Sequence, residues 1–395
     1  MNDVILVINS GSSSVKFALY PLIDENSAPL VSGKLAGIGR KPILTARHEQ
    51  ARIDVSGPLA EIPANATHEQ LITQLLEWLE LSFPTLRPVA AGHRVVHGGR
   101  NFTLPTIVDA SVREILESFV SLAPLHQPHN LAAIDTIKKI TPDLAQIACF
   151  DTAFHRTQPR IAQLFALPRA LTDEGIIRYG FHGLSYEYIA DTLPKLLGPT
   201  ANGRVIVAHL GNGASMCAMQ GCRSVATSMG FTALDGLVMG RRCGSIDAGI
   251  VLHLLQEKGL TPDQVAHLLY RQSGLLGVSG ISNNMRDLEA SPDPNAREAI
   301  DLFCYRAARE IGSLAATLKG IDALVFTAGI GENSALVRRL ICEQSSWLGI
   351  DLDSAANDAN ECNISSNKSK LSVCVVPTNE EAMIASSTRK IIGKS

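Results

Sequence analysis

Apolar positions along the chain fall into two local patterns. Short runs of β-branched and other apolar residues end in Gly, Ser or Asn, and longer stretches repeat at helical spacing. Two of the short runs share one design: VILVINSGSSSVKFAL, from Val4, and VIVAHLGNGASMCAM, from Val205. Each is an apolar strand, a tight polar turn and a second strand of small or apolar residues, so each predicts a β-hairpin with a polar tip. Two such hairpins opening two halves of a 395-residue chain suggest a duplication.

Between and after the hairpins, strand and helix patterns alternate. Over 109–122, Val112, Ile115, Leu116, Phe119 and Val120 share one helical face, with Ser111 and Glu114 at capping-box spacing. AQIACFD predicts a buried strand ending in the carboxylate of Asp151. Further on, ALVFTAGIGENS predicts a strand, a Gly loop and a helix start, 297–319 a long amphipathic helix, and LSVCVVP a late strand. The alternation predicts mixed α/β layers. The stretch 40–68 lacks a period and reads as an irregular excursion. A first domain over 1–150 and a second over 151–380 are expected, with a last helix over 381–395 packing back on the first. Thr378 and Glu381 stand at capping-box spacing for that helix.

Composition narrows the class. Apolar residues at 46% and charged residues at 18% fit a packed enzyme, and a net charge of −3 with no basic run argues against nucleic acid. The start carries Asp3 rather than the basic residues of a secretory leader, and no apolar stretch reaches membrane-spanning length, so a cytoplasmic protein is expected. Eight cysteines without a CxxC pair read as buried thiols in a reducing compartment rather than as disulfides or a zinc site.

Backbone N–H groups in tight Gly turns hold phosphate well. Three segments qualify: 11–14 (GSSS), 211–213 (GNG) and 329–333 (GIGEN), the last leading into a helix whose N-terminus favours anions. Each alone reads better as an ordinary turn, but three that follow apolar strands are harder to dismiss. None matches the P-loop spacing. Cations stand nearby: Lys16 on the return strand, Arg94 and His97 in GHRVVHGGR, His182 in RYGFHG, and Arg241 and Arg242 in MGRRCG. Lys16 also reads as a plain surface residue. His126 and His129 in LHQPH, and His155 after Asp151, read better as structural or phosphate contacts than as zinc ligands.

The strings VINSGSSSVKF, GHRVVHGG, APLHQP, FDTAFH, RYGFHG, AHLGNGAS, SMGFTALDGLVMG, SGLLGVSG, FTAGIGENS and PTNEEAMIA resemble those of the acetate kinase family, in matching order along nearly the whole chain. The resemblance implies a duplicated actin-like α/β fold, with two ribonuclease H-like domains around a nucleotide cleft, and a homodimer. It implies ATP/ADP as co-substrate and magnesium, or manganese in its place, as cofactor. By position it implies Asn9 and Glu380 at the metal, and Ser12, Ser14 and Lys16 at the nucleotide phosphates. Arg94 matches the carboxylate-binding arginine, with Val96, Leu125 and Phe181 around the acyl methyl group. Asp151 matches the catalytic aspartate, and His182 and Arg242 the transition-state stabilisers. The segments His209-Leu210-Gly211-Asn212-Gly213, Asn284-Met285-Arg286 and Gly329-Ile330-Gly331-Glu332-Asn333 match the nucleotide contacts.

A carboxylate acceptor is already ionised at neutral pH, so the chemistry needs positioning and charge neutralisation rather than a strong base. Asp151 is therefore expected to organise its neighbours rather than take a proton. The chain departs from the family at Ala233, where proline is usual in the acyl pocket, and at Arg241, Ser245, Ala248, Asn284, Met285, Leu184 and Tyr186. Ala233 bears on the choice between acetate and propionate, and the Asn284-Met285 pair on the nucleotide. A propionate kinase is the enzyme alternative. A nucleotide-driven conformational ATPase is the non-enzyme alternative, and an apolar pocket beside Arg94 argues against it.

Overall fold

The first hairpin forms as its pattern requires: β1 (Asn2–Ser10) and β2 (Ser14–Pro21) pair antiparallel, with Asn9 opposite Lys16. The structure, a computed structural model, describes residues 2–393 apart from 12–13, 24–27, 40–41, 50, 54, 56–58, 60–61, 64 and 125. It divides into two compact units, Met1–Ala153 with Asn379–Ser395, and Phe154–Thr378.

In the first unit the sheet continues from β2 through β3 (Val31–Ala36), β4 (Ile43–His48) and β5 (Ala51–Ile53), all antiparallel. Part of the stretch expected to be irregular is therefore sheet. Its pattern misleads because β4 buries only Leu44 and Ala46, while the apolar Ile43 lies exposed at the edge. On the other side of β1, β6 (Leu86–Val95) and β8 (Ala145–Phe150) run parallel to it, and the short β7 (Thr106–Ile107) closes the edge. The order is β5-β4-β3-β2-β1-β6-β8-β7.

Alternation in β1 and β2 puts Val4, Leu6, Ile8, Phe17 and Leu19 on one face. Helix His68–Ser82, opened by a Thr67–Gln70 capping box, lays Leu71, Leu75 and Trp78 on them. Each fully buried aliphatic side chain there contributes roughly 1.5–3 kcal/mol. Gly92 of β6 takes the backbone of helix Glu380–Ile392 at close range, because a Cβ at Gly92 would run into Ile384 and Thr388. That helix is capped by Asn379, whose side chain accepts from the Ala382 N–H at 2.9 Å, not by Thr378. Likewise Asp109, not Ser111, caps helix Ala110–Ser118, and the Ser111 hydroxyl donates to the Asp109 carboxylate.

In the second unit β9 (Arg204–Leu210), β10 (Ala214–Gln220) and β11 (Arg223–Thr227) form an antiparallel meander, and β12 (Ala323–Thr327) and β13 (Ser372–Val375) extend it in parallel from β9. The order β11-β10-β9-β12-β13 repeats β3-β2-β1-β6-β8 of the first unit. The two sheets are copies of one topology. Helix Gly183–Leu197 packs Tyr186, Ile189 and Leu193 against Val205, Val207, Cys217 and Val325, and helix Pro294–Leu318 covers the sheet with its own apolar stripe. All eight cysteines are free thiols, five of them buried. Among the described residues, no helix is long and apolar enough to cross a membrane.

Candidate active site

Because β1, β6 and β8 are parallel neighbours, their carboxyl ends bring Asn9, Arg94 and Asp151 to one edge of the first sheet, where open α/β sheets carry their sites. Arg94 grips Asp151 with two arms: Nη2 donates to Oδ2 at 2.6 Å, and Nε lies 3.1 Å from both carboxylate oxygens. Its Nη1 donates to Asn9 Oδ1 at 3.3 Å. The other end of the Asn9 carboxamide donates to Glu380 Oε2 at 3.3 Å and Glu381 Oε1 at 3.2 Å. Glu381 in turn meets Lys16 Nζ at 3.2 Å. Lys16 is therefore held by a carboxylate whose place in the sequence marks it only as a helix-capping residue.

Burial opposes the Arg94 charge, yet the adjoining Asp151 and Glu380 carboxylates outweigh it and hold the guanidinium above its ordinary pKa. Asp151 is 1% exposed, and burial pushes its carboxyl above the usual range while Arg94 pulls it back. Both carboxylate oxygens are engaged by Arg94, so the residue has an organising geometry rather than that of a base waiting for a proton.

Two buried carboxamides hold the loop behind Arg94. Asn130 accepts from the Val96 N–H at 3.0 Å and donates to Ser10 O at 2.6 Å. Gln127 does the same for both backbone groups of His97. His97 Nδ1 accepts the Gly99 N–H at 2.9 Å, which makes it a turn-former, and His68 Nε2 donates to Gly11 O at 2.9 Å while stacking on His129. Ser12 and Leu125 lie outside the described residues; Ser14 opens β2, its carbonyl accepting from Gly11 N–H.

In the second unit the tip of the β9–β10 hairpin is crowded by design. His182, in the left-handed region at φ 60°, stacks on His209 with ring centroids 4.1 Å apart. A Cβ at Gly213 would lie 2.6 Å from Arg242 Nη2 and 3.2 Å from His182 Nε2, so only glycine lets both side chains rest there. Arg242 Nη1 donates to the Ala233 carbonyl at 2.5 Å. Buried Phe181 precedes His182, and its carbonyl accepts from His155 Nε2 at 2.9 Å. Burial lowers the pKa of His155 to about 4, so the ring is neutral, donating to Phe181 and accepting from Ser224.

Thr327 of β12 lies beside His209 of β9, so the segments following both strands meet. They wall a cavity of about 460 Å³ with Gly211, Asn212, Asn284, Met285, Gly329 and Asn333. The sequence segments matched to nucleotide contacts thus converge. The third Gly segment is already helical, over Ala328–Asn333, and the Ala328 N–H at its start is taken by Glu332 Oε1 at 2.8 Å. Glu332 also accepts from Thr378 N–H, which gives it a bracing position. Among the departures, Arg241 reaches Asn283, which donates to Asn212 at 3.0 Å, and Ser245 donates to Asp235 at 2.6 Å.

A family model described as the acetokinase family matches residues 4–386. The chain belongs to that family. An acetate kinase of Rhodopseudomonas palustris is 54% identical over 392 residues, covering 98% of this chain and 97% of its own. Two solved structures are similar over nearly all of both chains. The propionate kinase of Francisella tularensis has a TM-score of 0.90 at 38% identity, covering 98% of this chain and 99% of its own. The acetate kinase of Porphyromonas gingivalis has 0.87 at 34%, covering 99% and 100%. With the repeated topology, these establish the duplicated actin-like α/β fold. They also make the chain a phosphotransferase with a carboxyl group as acceptor.

Proposed function

We propose that the chain transfers the γ-phosphoryl group of ATP to acetate by direct in-line displacement, yielding acetyl phosphate and ADP, and catalyses the reverse transfer. An acetate oxygen forms the new bond to phosphorus as the bond to the β-phosphate oxygen breaks and ADP leaves. Arg94 carries the reading: a guanidinium pre-set on Asp151, two residues from buried Val96, offers a short acid a charge and an apolar neighbour. A conformational ATPase has no use for that arrangement. In the second unit His182 and Arg242 are assigned to the equatorial oxygens of the transferred group, and the cavity lined by Asn284 and Gly329 to the nucleotide.

Carboxylate oxygens of Glu380 suit a hard cation such as magnesium, and Asn9, which here turns its amide nitrogen to Glu380 and its oxygen to Arg94, would join them by turning its oxygen over; the ion would neutralise phosphate charge when bound. Operation in the cytoplasm, where ATP is available, is part of the same proposal. The test is ADP release with a panel of two- to four-carbon acids. Turnover of acetate is the expected result, and ATP hydrolysis indifferent to every acid overturns the reading.

Propionate is the second acceptor this chain is expected to use, and Ala233 is the reason. A proline there would add ring carbons, and one more buried methylene on the acid is worth about 0.8 kcal/mol. The N–H of Ala233 makes no hydrogen bond among the described residues, and its carbonyl bond to Arg242 survives in proline, so Ala233→Pro is a clean test. The ratio of kcat/KM for propionate over acetate should fall a few-fold in the variant. An unchanged ratio removes position 233 from acyl selection.

A homodimer is proposed from helix Ala248–Gln256, whose sequence AGIVLHLLQ buries no residue within its own unit. Ile250 and Leu252 are 47% and 53% exposed. Such a face is expected against a second copy. Sedimentation should show a dimer that Leu252→Glu weakens, and a native monomer at micromolar concentration contradicts this.

A further inference from the structure

We infer that Tyr186, acting through Ser215, is a positioning residue that sets which nitrogen of His182 carries the proton; this rests on the phosphoryl contact proposed for His182. Three side chains form one line. Tyr186 Oη lies 2.5 Å from Ser215 Oγ, and Ser215 Oγ lies 2.8 Å from His182 Nδ1. Tyr186 and Ser215 are both 0% exposed, so solvent does not compete for these bonds.

The count of protons gives the line a direction. Burial holds the Tyr186 phenol protonated, far above its ordinary pKa. Among the described residues Ser215 is the one hydrogen-bond partner of that hydroxyl. A buried donor left unmade costs about 1–3 kcal/mol, so Tyr186 donates to Ser215. Ser215 has one proton of its own, and it goes to His182 Nδ1. An imidazole that accepts at Nδ1 carries its proton at Nε2. Nε2 is the atom that lies over Gly213, beside Arg242 Nη2. The relay therefore presents two N–H donors side by side where an anionic oxygen would be held.

Without the Tyr186 hydroxyl, Ser215 is free to accept from an Nδ1–H instead. The Nε2 lone pair would then face the phosphoryl oxygen and repel it. Position 186 is a departure from the family strings, and here it carries a hydroxyl in contact with the serine that orients the histidine.

Tyr186→Phe removes one oxygen and keeps the ring packed among Ile189, Val205 and Cys217. Nitrogen-15 NMR of the full chain, with the His182 signal assigned by its loss in His182→Gln, should show an Nε2–H tautomer that becomes a mixture in Tyr186→Phe. The variant should lose about tenfold in kcat, with KM for acetate and ATP unchanged within about twofold. Ser215→Ala should give the same kinetic loss, and the double variant no more. An unchanged tautomer in Tyr186→Phe overturns the relay, and a changed tautomer with native kcat overturns its role in the reaction. Native kcat in His182→Gln overturns the assignment of His182 itself, and the relay's role with it.

Discussion

Arg242→Ala is expected to lower kcat by about two to three orders of magnitude, while KM for acid and nucleotide shifts far less. The Arg242 side chain is already in place without substrate: Nη1 is tied to the Ala233 carbonyl at 2.5 Å, and Nη2 rests over Gly213. A donor fixed in advance costs no reorganisation when charge moves onto the equatorial oxygens, so its loss is felt in the transition state more than in the ground state. Lys at this position should recover little, because a single ammonium cannot hold the Ala233 carbonyl and a phosphoryl oxygen in the same planar fork. Steady-state kinetics in the forward direction decides it. A rise in KM as large as the fall in kcat would reassign Arg242 to substrate binding.

The second large effect is expected at Asp151, and it is on stability as well as rate. A buried ion pair is weak evidence of net stabilisation, but removing one partner strands the other. Asp151→Ala leaves the Arg94 guanidinium, 21% exposed at its side chain, with only Asn9 and the more distant carboxylates of Glu380 and Glu381 to face. A loss of about 3 kcal/mol is expected, at the low end for a broken buried pair because those neighbours remain. Calorimetry should show a lowered midpoint, and binding of acid should fail because Arg94 no longer has a fixed direction. Acidification should weaken acid binding in the same sense, but not stability through this group, because a carboxyl whose pKa is raised in the fold binds its proton more tightly there than in the unfolded chain. Burial raises the pKa of Asp151, so the carboxylate is protonated, and its hold on Arg94 lost, at a higher pH than an exposed aspartate would require. The acid limb of kcat/KM should therefore lie above the ordinary aspartate range near about 3.9. A native midpoint in Asp151→Ala would show that Arg94 is held by something other than this pair.

Much of this was legible in the chain because hairpin tips and strand ends write themselves in residue type. The NSGSSS and LGNGAS turns, the carboxylate after AQIACF and the arginine after GH stand where apolar alternation stops, and the structure places them at strand ends. Less legible was whatever depends on a partner far along the chain. Glu381 looks like an ordinary first-turn acid of a helix, and only the fold reveals that it meets Lys16 from 365 positions away. Ser215 reads as a small residue in a buried strand, and nothing in its neighbours announces His182. A doubled Glu beginning a helix next to a matched metal position was the one available hint for the first; the second had none. Strand β4 was missed for a different reason, since an apolar Ile43 on its exposed face and a small Ala46 on its buried face leave too little contrast between the two.

The helix Glu380–Ile392 lies on β1 and β6, strands made near the beginning of the chain. During synthesis, everything from Phe154 to Thr378 must emerge before Gly92 meets Ile384 and Asn9 meets Glu380. The second unit is contiguous in sequence, whereas the first waits with an uncovered sheet face until helix Glu380–Ile392 is made. Its maturation therefore waits on that helix, and the long interval is when the nascent protein most needs protection from other exposed strands.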